Sequence, residues 1–393
     1  EDGTEIAAGR FTPKMIPTGT LTTLGDIDVA LADAPAPSKL RLIVGIDGTS
    51  FENDWDVWVY PTAVPTDVPE GIHVASELDE AALAALQDGG KVLLAADPKF
   101  VDTKVALGFS SIFWNTAWTG GQAPHTLGIL CDPNHPALAQ FPTEYHSNWQ
   151  WWELIHSAAT LELDELPPEI RPIVQVVPDW FEPKRLGLVV EANVAGGKLL
   201  ICSMDLTTDL EHRVVARQMR RSLLDYMAGD TFRPQHTLTV EQVRGLFREP
   251  NLLEKLGAKV SADSSQIGYE PENAIDGNTD TMWHTTWEPT PAPLPHWFQI
   301  AFARPVRLAG LRVLPRQDGN PNGKIAAYSV LVGTEGENFS APIVSGRWDE
   351  TPAWKTIRFP EPLTVKAVRL QAESAARGNP FAAIAEIEPI LAE

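Results

Sequence analysis

The chain has 393 residues, of which 44% are hydrophobic and 21% are charged, so it is long enough for two or three domains and too apolar to be disordered as a whole. Its net charge is -21, from 31 basic and 52 acidic residues. This charge argues against nucleic acid or an anionic membrane surface as a partner, because phosphate binding needs a cationic face, and it is compatible with a neutral ligand.

The N-terminal segment begins with EDGTEIAAGR, without Met and without a signal peptide, which favours a processed or excised part of a longer protein. No apolar run in the chain approaches the roughly 20 residues of a membrane-spanning helix. Residues 1–61 alternate apolar and polar side chains between turn signals, as at Ile27, Val29, Leu31, Leu40, Leu42, Val44, Val57 and Val59. This period of two predicts a small antiparallel β-sandwich over 1–61, of the immunoglobulin-like kind.

Residues 62–235 alternate helical and strand patterns. The segment ELDEAALAALQ has the composition of a helix, and HRVVARQMRRSLLDYMAG carries an apolar stripe at helical spacing. Between them lie short apolar runs of the kind found in parallel sheets, namely KVLLAA, TLGILC, PIVQVV, LGLVVEA and KLLICSM. The pattern predicts an α/β layer domain over 62–235, followed by a linker and a short helix over 236–254.

The predicted α/β domain is weakly similar to the glutamine amidotransferase-like fold, in which a Cys sits on a sharp strand-to-helix elbow beside a His. Here Cys131 is followed by Asp and Pro, without the small residues that such an elbow needs. A buried, inert thiol is therefore favoured over a catalytic pair of Cys131 and His135. A bridge between Cys131 and Cys202 is possible, but nothing in the sequence indicates one.

Residues 255–393 contain short alternating strands at close spacing and no helical pattern, as in HWFQIAF, VRLAGLRVLP, AAYSVLVG, KTIRFPEPL and KAVRLQA. They predict a β-sandwich of jelly-roll type. Within them, PENAIDGNTDTMWHT (271–285) fits neither a helix nor a strand. Its oxygen-bearing side chains suit a hard cation such as Ca²⁺, but Asp276 can equally cap a turn through its own backbone, and the loop can also border a binding surface.

This last region resembles a discoidin, or F5/8 type C, domain, the fold of family 32 carbohydrate-binding modules. The resemblance spans 261–390 and is carried by the 271–285 loop, HWFQIAFARPVRLAGLRVLPRQ, AAYSVLVG and the closing AAIAEIEPI. It implies a structural Ca²⁺ that ties the early loop to the last strand. The ligands implied are the carbonyl of Asn273, Asp276, the carbonyl of Asn278, Thr281, the carbonyl of Ala385, and Glu386.

The same resemblance implies a shallow sugar site on loops at one end of the sandwich, for a neutral sugar of the galactose type. The polar residues that match the family's site are His284, Arg316, and Asn320 or Asn322. Trp287 and Phe381 are candidates for stacking on a pyranose face. An ion pair with Asp318 is the competing role for Arg316, and Trp283 is expected in the core.

A second resemblance is carried by 48–61 and 110–155, which look like the C-terminal region of bacterial family 2-type, β-galactosidase-like glycoside hydrolases. Those enzymes hold their two catalytic Glu residues in a (β/α)₈ barrel, for which this chain has no room, and no pair of acids here can be given that role. The resemblance implies a non-catalytic accessory region, with no catalytic residues of its own, of a secreted, periplasmic or cell-surface bacterial enzyme. The barrel of the same protein would be its partner.

Two other functions stay open from the sequence. One is a lectin or adhesin without an enzyme, and the other is a Cys-dependent hydrolase in the α/β domain. The segment FPTEYHSNWQWWEL also combines aromatic and polar side chains. It is expected to form a packed interface between domains, with a sugar-contacting rim as the alternative.

Overall fold

The computed structural model describes residues 3–109, 126–179, 183–334, 338–339 and 341–392. The chain divides into two compact units, Glu1–Arg248 and Glu249–Glu393. Within the described ranges, no helix is both long enough and apolar enough to cross a membrane.

The first unit contains nine strands and four α-helices among its described residues. The strands are β1 Ser38–Gly45, β2 Glu52–Val59, β3 Ile72–Ala75, β4 Lys91–Ala95, β5 Thr126–Cys131, β6 Leu161–Glu162, β7 Val174–Pro178, β8 Leu186–Val194 and β9 Gly197–Cys202. The helices are α1 Glu80–Gln87, α2 Trp151–His156, α3 Val214–Ala228 and α4 Val240–Arg244.

Seven of these strands form one sheet, in the order β3-β4-β9-β8-β7-β5, with β6 paired to β8. Only β3, β4 and β9 run parallel to one another, so the sheet is mixed rather than parallel. Alternate residues of β4 face opposite layers of helices. Leu93 packs in the core that contains α2 and α3, and Leu94 packs in the core that contains α1 and α4. Burial on both faces explains the continuous apolar runs in the sequence.

The β-sandwich predicted for 1–61 is wrong. Among the residues of this segment that the structure describes, the only strands are β1 and β2, which form one antiparallel hairpin. The alternating residues Ile27, Val29 and Leu31 are 50%, 38% and 38% exposed and lie in no strand. Alternation indicates a strand only where a partner buries one face, and residues 27–31 pair with no strand in the described part of the chain.

The linker predicted over 236–254 also differs from the structure, because most of it packs on the first unit. Leu238 donates to the carbonyl of Asn193, and α4 begins with a capping box between Thr239 and Gln242. Val243 and Leu246 are buried in the core beside α1. The boundary between the two units therefore falls at 248, after the short helix rather than before it.

Cys131 ends β5 and is not on a strand-to-helix elbow. Its thiol donates to the carbonyl of Glu144, while Nδ1 of His135 accepts the Ala137 backbone N–H. Burial raises the pKa of the Cys131 thiol to about 11. Both cysteines are free and buried. The structure therefore does not pair Cys131 with His135, and the glutamine amidotransferase-like elbow is absent at this strand end.

The aromatic segment after β5 is divided between core and surface. Trp151 is fully buried, whereas Trp149, Trp152 and Tyr145 are 76%, 48% and 61% exposed. Its upstream companion in the second resemblance, SSIFWNTAW (110–118), lies outside the described residues.

The second unit is a β-sandwich, as predicted. It contains helix α5 Leu252–Lys255 and strands β10 Lys259–Ala262, β11 Trp283–His284, β12 His296–Leu314, β13 Ile325–Gly333, β14 Val344–Arg347, β15 Lys355–Ala375, β16 Ala383–Ile384 and β17 Glu386–Leu391. The larger sheet has the order β10-β12-β15-β13-β14, with β17 also on β12, and the smaller one joins β11 to β16. All these pairs are antiparallel.

The pairing of β11 with β16 positions the candidate site. Trp283 pairs with Ile384 and His284 pairs with Ala383, so the end of the 271–285 loop is fixed against the segment just before β17. Trp283 is 1% exposed and packs edge-on against Phe298, which confirms it as a core residue.

Candidate functional site

His284 is the centre of a cluster of aromatic rings at the end of β11. Its ring centroid lies 4.9 Å from that of Trp287, 5.5 Å from that of Phe381 and 6.3 Å from that of Tyr269. Trp287 and Phe381 are half-buried, so each ring has both a packed and an accessible part. The structure therefore brings His284, one of the predicted polar residues, together with both candidate stacking residues of the sugar site.

The neighbours of His284 fix its protonation state. Nδ1 lies 2.7 Å from the Thr285 carbonyl oxygen, which can only accept, so Nδ1 carries the proton. Burial lowers the pKa of His284, the Thr285 carbonyl opposes this shift, and the charge of Arg316 adds to it. The ring is therefore neutral at pH 7. Its Nε2 makes no hydrogen bond to any described residue, which leaves a lone pair to accept a hydroxyl.

Arg316 is 6% exposed and holds the loop that follows β12. Its Nε and Nη2 donate to the two carboxylate oxygens of Asp318 at 2.8 and 2.5 Å, and its Nη1 donates to the Asn322 carbonyl at 2.6 Å. The competing ion pair with Asp318 is therefore present. It uses only some of the five guanidinium N–H groups, so Arg316 can both order the loop and present a donor.

The two candidate Asn residues are exposed on this loop, and they differ in their contacts. Asn320 uses its Oδ1 to accept the backbone N–H of Asn322. Asn322 accepts at its own Oδ1 from Asn379, whose Oδ1 in turn lies 3.3 Å from the Gly323 backbone nitrogen. Asn379 thus joins the Arg316 loop to the segment that carries Phe381. It was missed in the sequence because it lies 57 residues from Asn322.

The predicted cation ligands of the early loop converge on one hydroxyl. Oγ1 of Thr281 lies 2.7 Å from Oδ2 of Asp276, 2.7 Å from the Asn278 carbonyl and 3.4 Å from the Asn273 carbonyl. Oδ1 of Asp276 also accepts the Asn278 backbone N–H at 2.8 Å, so the Asx turn that competes with the cation hypothesis is present as well. Gly277 adopts a φ of 80° behind the carboxylate, which suits a residue without Cβ.

Glu386, at the start of β17, meets this loop. It is 6% exposed, contacts the Asp276 carboxyl and the Gly277 backbone N–H, and leaves Oε1 without a hydrogen-bond partner. Burial and the negative charge of Asp276 raise the pKa of Glu386 to about 8. A buried acid that faces a half-buried one, with one orphaned oxygen, is the donor set that a hard cation fits.

The described residues contain no group of three or more His, Cys, Asp or Glu side chains arranged to hold a metal ion. The predicted set has only two such side chains, Asp276 and Glu386, and draws its other oxygens from Thr281 and backbone carbonyls. Ala385 is fully buried next to Glu386, and its own N–H donates to Leu314. These residues fit an oxygen-seeking ion such as Ca²⁺ better than one that prefers His or Cys.

Family models match three segments of the chain. Residues 1–61 match a domain of unknown function (DUF8488), residues 73–248 match a second domain of unknown function (DUF8487), and residues 259–387 match the F5/8 type C domain. The C-terminal unit is therefore an F5/8 type C domain, as the sequence resemblance indicated.

Two curated relatives resemble parts of the chain. Galactose oxidase from Gibberella zeae is 36% identical over 163 residues, which is 41% of this chain and 24% of the relative. Sialidase from Micromonospora viridifaciens is 27% identical over 278 residues, which is 70% of this chain and 38% of the relative. The chain thus spans between a quarter and two fifths of the length of these relatives.

Among solved structures, a family 32 carbohydrate-binding module from Clostridium perfringens in complex with galactose is 30% identical and covers 34% of this chain and 92% of its own, with a TM-score of 0.31. Another Clostridium perfringens module of family 32, in complex with GalNAc-β-1,3-galactose, is also 30% identical, covers 34% of this chain and 94% of its own, and has a TM-score of 0.31.

Proposed function

We propose that the C-terminal unit binds a neutral, galactose-type sugar at the His284 cluster and that the chain serves as the non-catalytic, glycan-targeting part of a longer, secreted glycoside hydrolase. The observation that carries the sugar site is the meeting of His284, Trp287 and Phe381 beside the ordered Arg316 loop, in a domain of the F5/8 type C family.

The chemistry of these groups suits adjacent hydroxyls. Nε2 of neutral His284 accepts a hydrogen bond, and the unused N–H groups of Arg316 donate. Asn320, exposed on the same loop, adds an amide that does both. A hydroxyl is donor and acceptor at once, so a neutral sugar satisfies this mixture, whereas an anion would use only the donors.

The aromatic rings supply the apolar half of the recognition. The ring of Trp287 lies nearly perpendicular to that of His284, at 89°, and the ring of Phe381 is tilted by 47° to it. One face of a galactose-type pyranose is a continuous patch of C–H groups that stacks on such rings. A half-buried, shallow site of this kind supports dissociation constants between about 1 mM and 1 μM.

The cation is the second part of the proposal. Asp276, Thr281, Glu386 and the carbonyls of Asn273, Asn278 and Ala385 would hold Ca²⁺, which would neutralise the two facing acids and tie the early loop to β17. The orphaned Oε1 of Glu386 supports this assignment. Such a link closes about 110 residues of chain, where ordering without a tie is entropically unfavourable. The role of the ion would be structural, since it orders the loop that precedes His284.

The enzymatic context rests on the second sequence resemblance and on the two relatives, a galactose oxidase and a sialidase, of which this chain matches only a part. A weak sugar site attached to a catalytic domain raises the local concentration of glycan chains around that domain. A barrel encoded upstream in the same reading frame would identify the partner as a family 2-type hydrolase, and its absence would favour a lectin or adhesin.

Calorimetric titration of the full chain with galactose, with glucose as the comparison sugar, tests the site. His284→Ala and Phe381→Ala should each weaken galactose binding at least about tenfold, because each removes a direct contact worth about 1.4 kcal/mol or more. Arg358→Ala, an exposed residue of β15, is the matched control and should bind as the parent chain does. Equal affinity in all three variants would reject this site.

A further inference from the structure

His296 is a buried histidine that the sugar site does not contain but that touches its supporting loop. It opens β12 and is 0% exposed. Its Nδ1 lies 2.6 Å from Oδ2 of Asp263, and its Nε2 lies 2.8 Å from the carbonyl oxygen of Pro380. The ring therefore bridges the segment after β10 and the segment before β16.

Both ring nitrogens of His296 face groups that accept hydrogen bonds. A carboxylate and a peptide carbonyl have no proton to give, so both contacts are hydrogen bonds only if Nδ1 and Nε2 are both protonated. Burial lowers the pKa of His296, but the bonds to Asp263 and Pro380 outweigh it, and the net shift is upward. The geometry is thus that of an imidazolium ion.

The Pro380 carbonyl connects this ion to the sugar site. Pro380 lies between Asn379, which bridges to the Arg316 loop, and Phe381, whose ring packs on His284. Loss of one proton leaves the remaining N–H with Asp263, where the charge attracts it most. The lone pair of Nε2 would then face the lone pairs of the Pro380 oxygen at 2.8 Å, which is repulsive.

We propose that His296 is a positioning residue for the sugar site, and that it holds the 379–381 segment in its binding geometry only while both ring nitrogens are protonated. Galactose affinity should therefore fall as the pH rises through the pKa of His296. The expected change in galactose affinity rests on the proposed function, whereas the expected movement of the 379–381 segment does not.

The other titratable groups around the ring are few. Asp263 faces Nδ1, and the Pro380 segment contributes only a carbonyl. The charge of His296 disfavours the charged form of His284, and the charges of Arg316 and Asp318 also act on His284. The pKa of His284 is shifted downward and that of His296 upward from the ordinary 6.5. A loss of affinity below that value therefore belongs to His284, and a loss above it belongs to His296.

Galactose titrations of the full chain from pH 6 to 10 test the inference, with nuclear magnetic resonance of the histidine rings and backbone amides over the same range. We expect affinity to fall about threefold to tenfold as His296 loses its proton, the effect of one lost hydrogen bond. The amide signals of Asn379 and Phe381 should shift with the same midpoint. Asp263→Asn should lower the midpoint of the affinity loss and the midpoint of the amide shifts, because it removes the charge that faces Nδ1.

Glu361→Gln is the control, since it removes an exposed acid of β15 and should leave both midpoints in place. If the amide signals of Asn379 and Phe381 did not change as His296 titrates, the inference would be overturned, even if the chain binds galactose. A chain that binds no galactose at any pH would instead overturn the proposed sugar, while the amide midpoints in the wild-type chain would still decide the role of His296. If the Asp263→Asn variant does not fold, the amide midpoints of the wild-type chain still test the role of His296.

Discussion

Each unit of the chain contains a pair of acids that are wholly or partly buried, and the charges around the two pairs differ. In the first, Glu153 and Asp205 share the guanidinium of Arg213, at 2.5 and 2.8 Å. In the second, Glu386 faces Asp276, and the neighbouring charges that act most strongly on it, those of Asp276 and Glu388, are both negative. One unit supplies its own counterion from a side chain, and the other has an acid pair that lacks one.

The pKa values follow this difference. Burial raises the pKa of Asp205, but backbone hydrogen bonds from the 207–208 turn and the charge of Arg213 reverse the shift and lower it overall. The pKa of Glu386 is raised to about 8 because burial and Asp276 act in the same direction. The Glu153–Asp205 pair is therefore stable with the counterion that Arg213 supplies, while the Glu386–Asp276 pair needs either a proton or an added cation.

The largest effect should come from removal of the counterion of the first unit. Arg213→Ala leaves Glu153 and Asp205 without their shared charge partner, and it should lower the free energy of unfolding of this unit by about 3 kcal/mol, the low end for a buried pair because the acids are partly exposed. Urea unfolding followed by hydrogen exchange and mass spectrometry measures each unit separately.

Arg233→Ala is the matched control for that experiment. Arg233 lies in the same unit, is exposed and donates only to the Asp230 carbonyl, so its loss should change the free energy of unfolding by no more than about 0.5 kcal/mol. If the two substitutions had equal effects, the Arg213 network would not be what stabilises the acids.

A somewhat smaller effect should come from the cation of the second unit. Ca²⁺ at 100 times its dissociation constant should stabilise that unit by about 2.7 kcal/mol, and a chelator should reverse the gain. The first unit should not respond. Hydrogen exchange in β17 and in the 271–285 loop, compared with and without Ca²⁺, measures the effect.

Two neighbouring acids sharpen that prediction. Glu386→Gln should abolish the response to Ca²⁺ and, in chelator, should be at least as stable as the parent chain, because the amide is neutral without having to take up a proton and can donate to Asp276. Glu388→Gln removes a half-exposed acid that pairs with Arg312 and should keep the full response. Stabilisation by Ca²⁺ that survives Glu386→Gln would place the ion elsewhere.

The sequence predicted those parts of the second unit in which buried and exposed side chains alternate along a strand. The alternation in β12 and β13 predicted strands correctly because each strand has one face on the core. The same alternation at 27–31 predicted a strand wrongly. An alternating pattern indicates which side chains would share one face of a strand, but it does not indicate whether a neighbouring strand is available to pair with it.

The site was predictable to the extent that it lies within one loop. Asp276 and Thr281 are five residues apart and meet as expected. The Asp263–His296–Pro380 bridge joins positions 33 and 84 residues apart, and no local pattern marks such a contact. The contact that makes Glu386 unusual, its orphaned oxygen beside a second acid, is likewise visible only once the chain is folded.

The smallest expected effect is the low reactivity of the two buried thiols of the first unit, Cys131 and Cys202. Burial raises the pKa of Cys131 to about 11 and that of Cys202 to about 12, from 9.0. At pH 8 the thiolate fraction of Cys131 should therefore be about 100-fold below that of an unshifted thiol, and alkylation by iodoacetamide should slow accordingly. Mass spectrometry of the native chain measures this rate, and the chain unfolded in urea, where both thiols react, is the control. Native Cys131 that reacts as fast as free cysteine would contradict the neutral thiol and restore the Cys-dependent hydrolase as a hypothesis, since only a thiolate can act as the nucleophile.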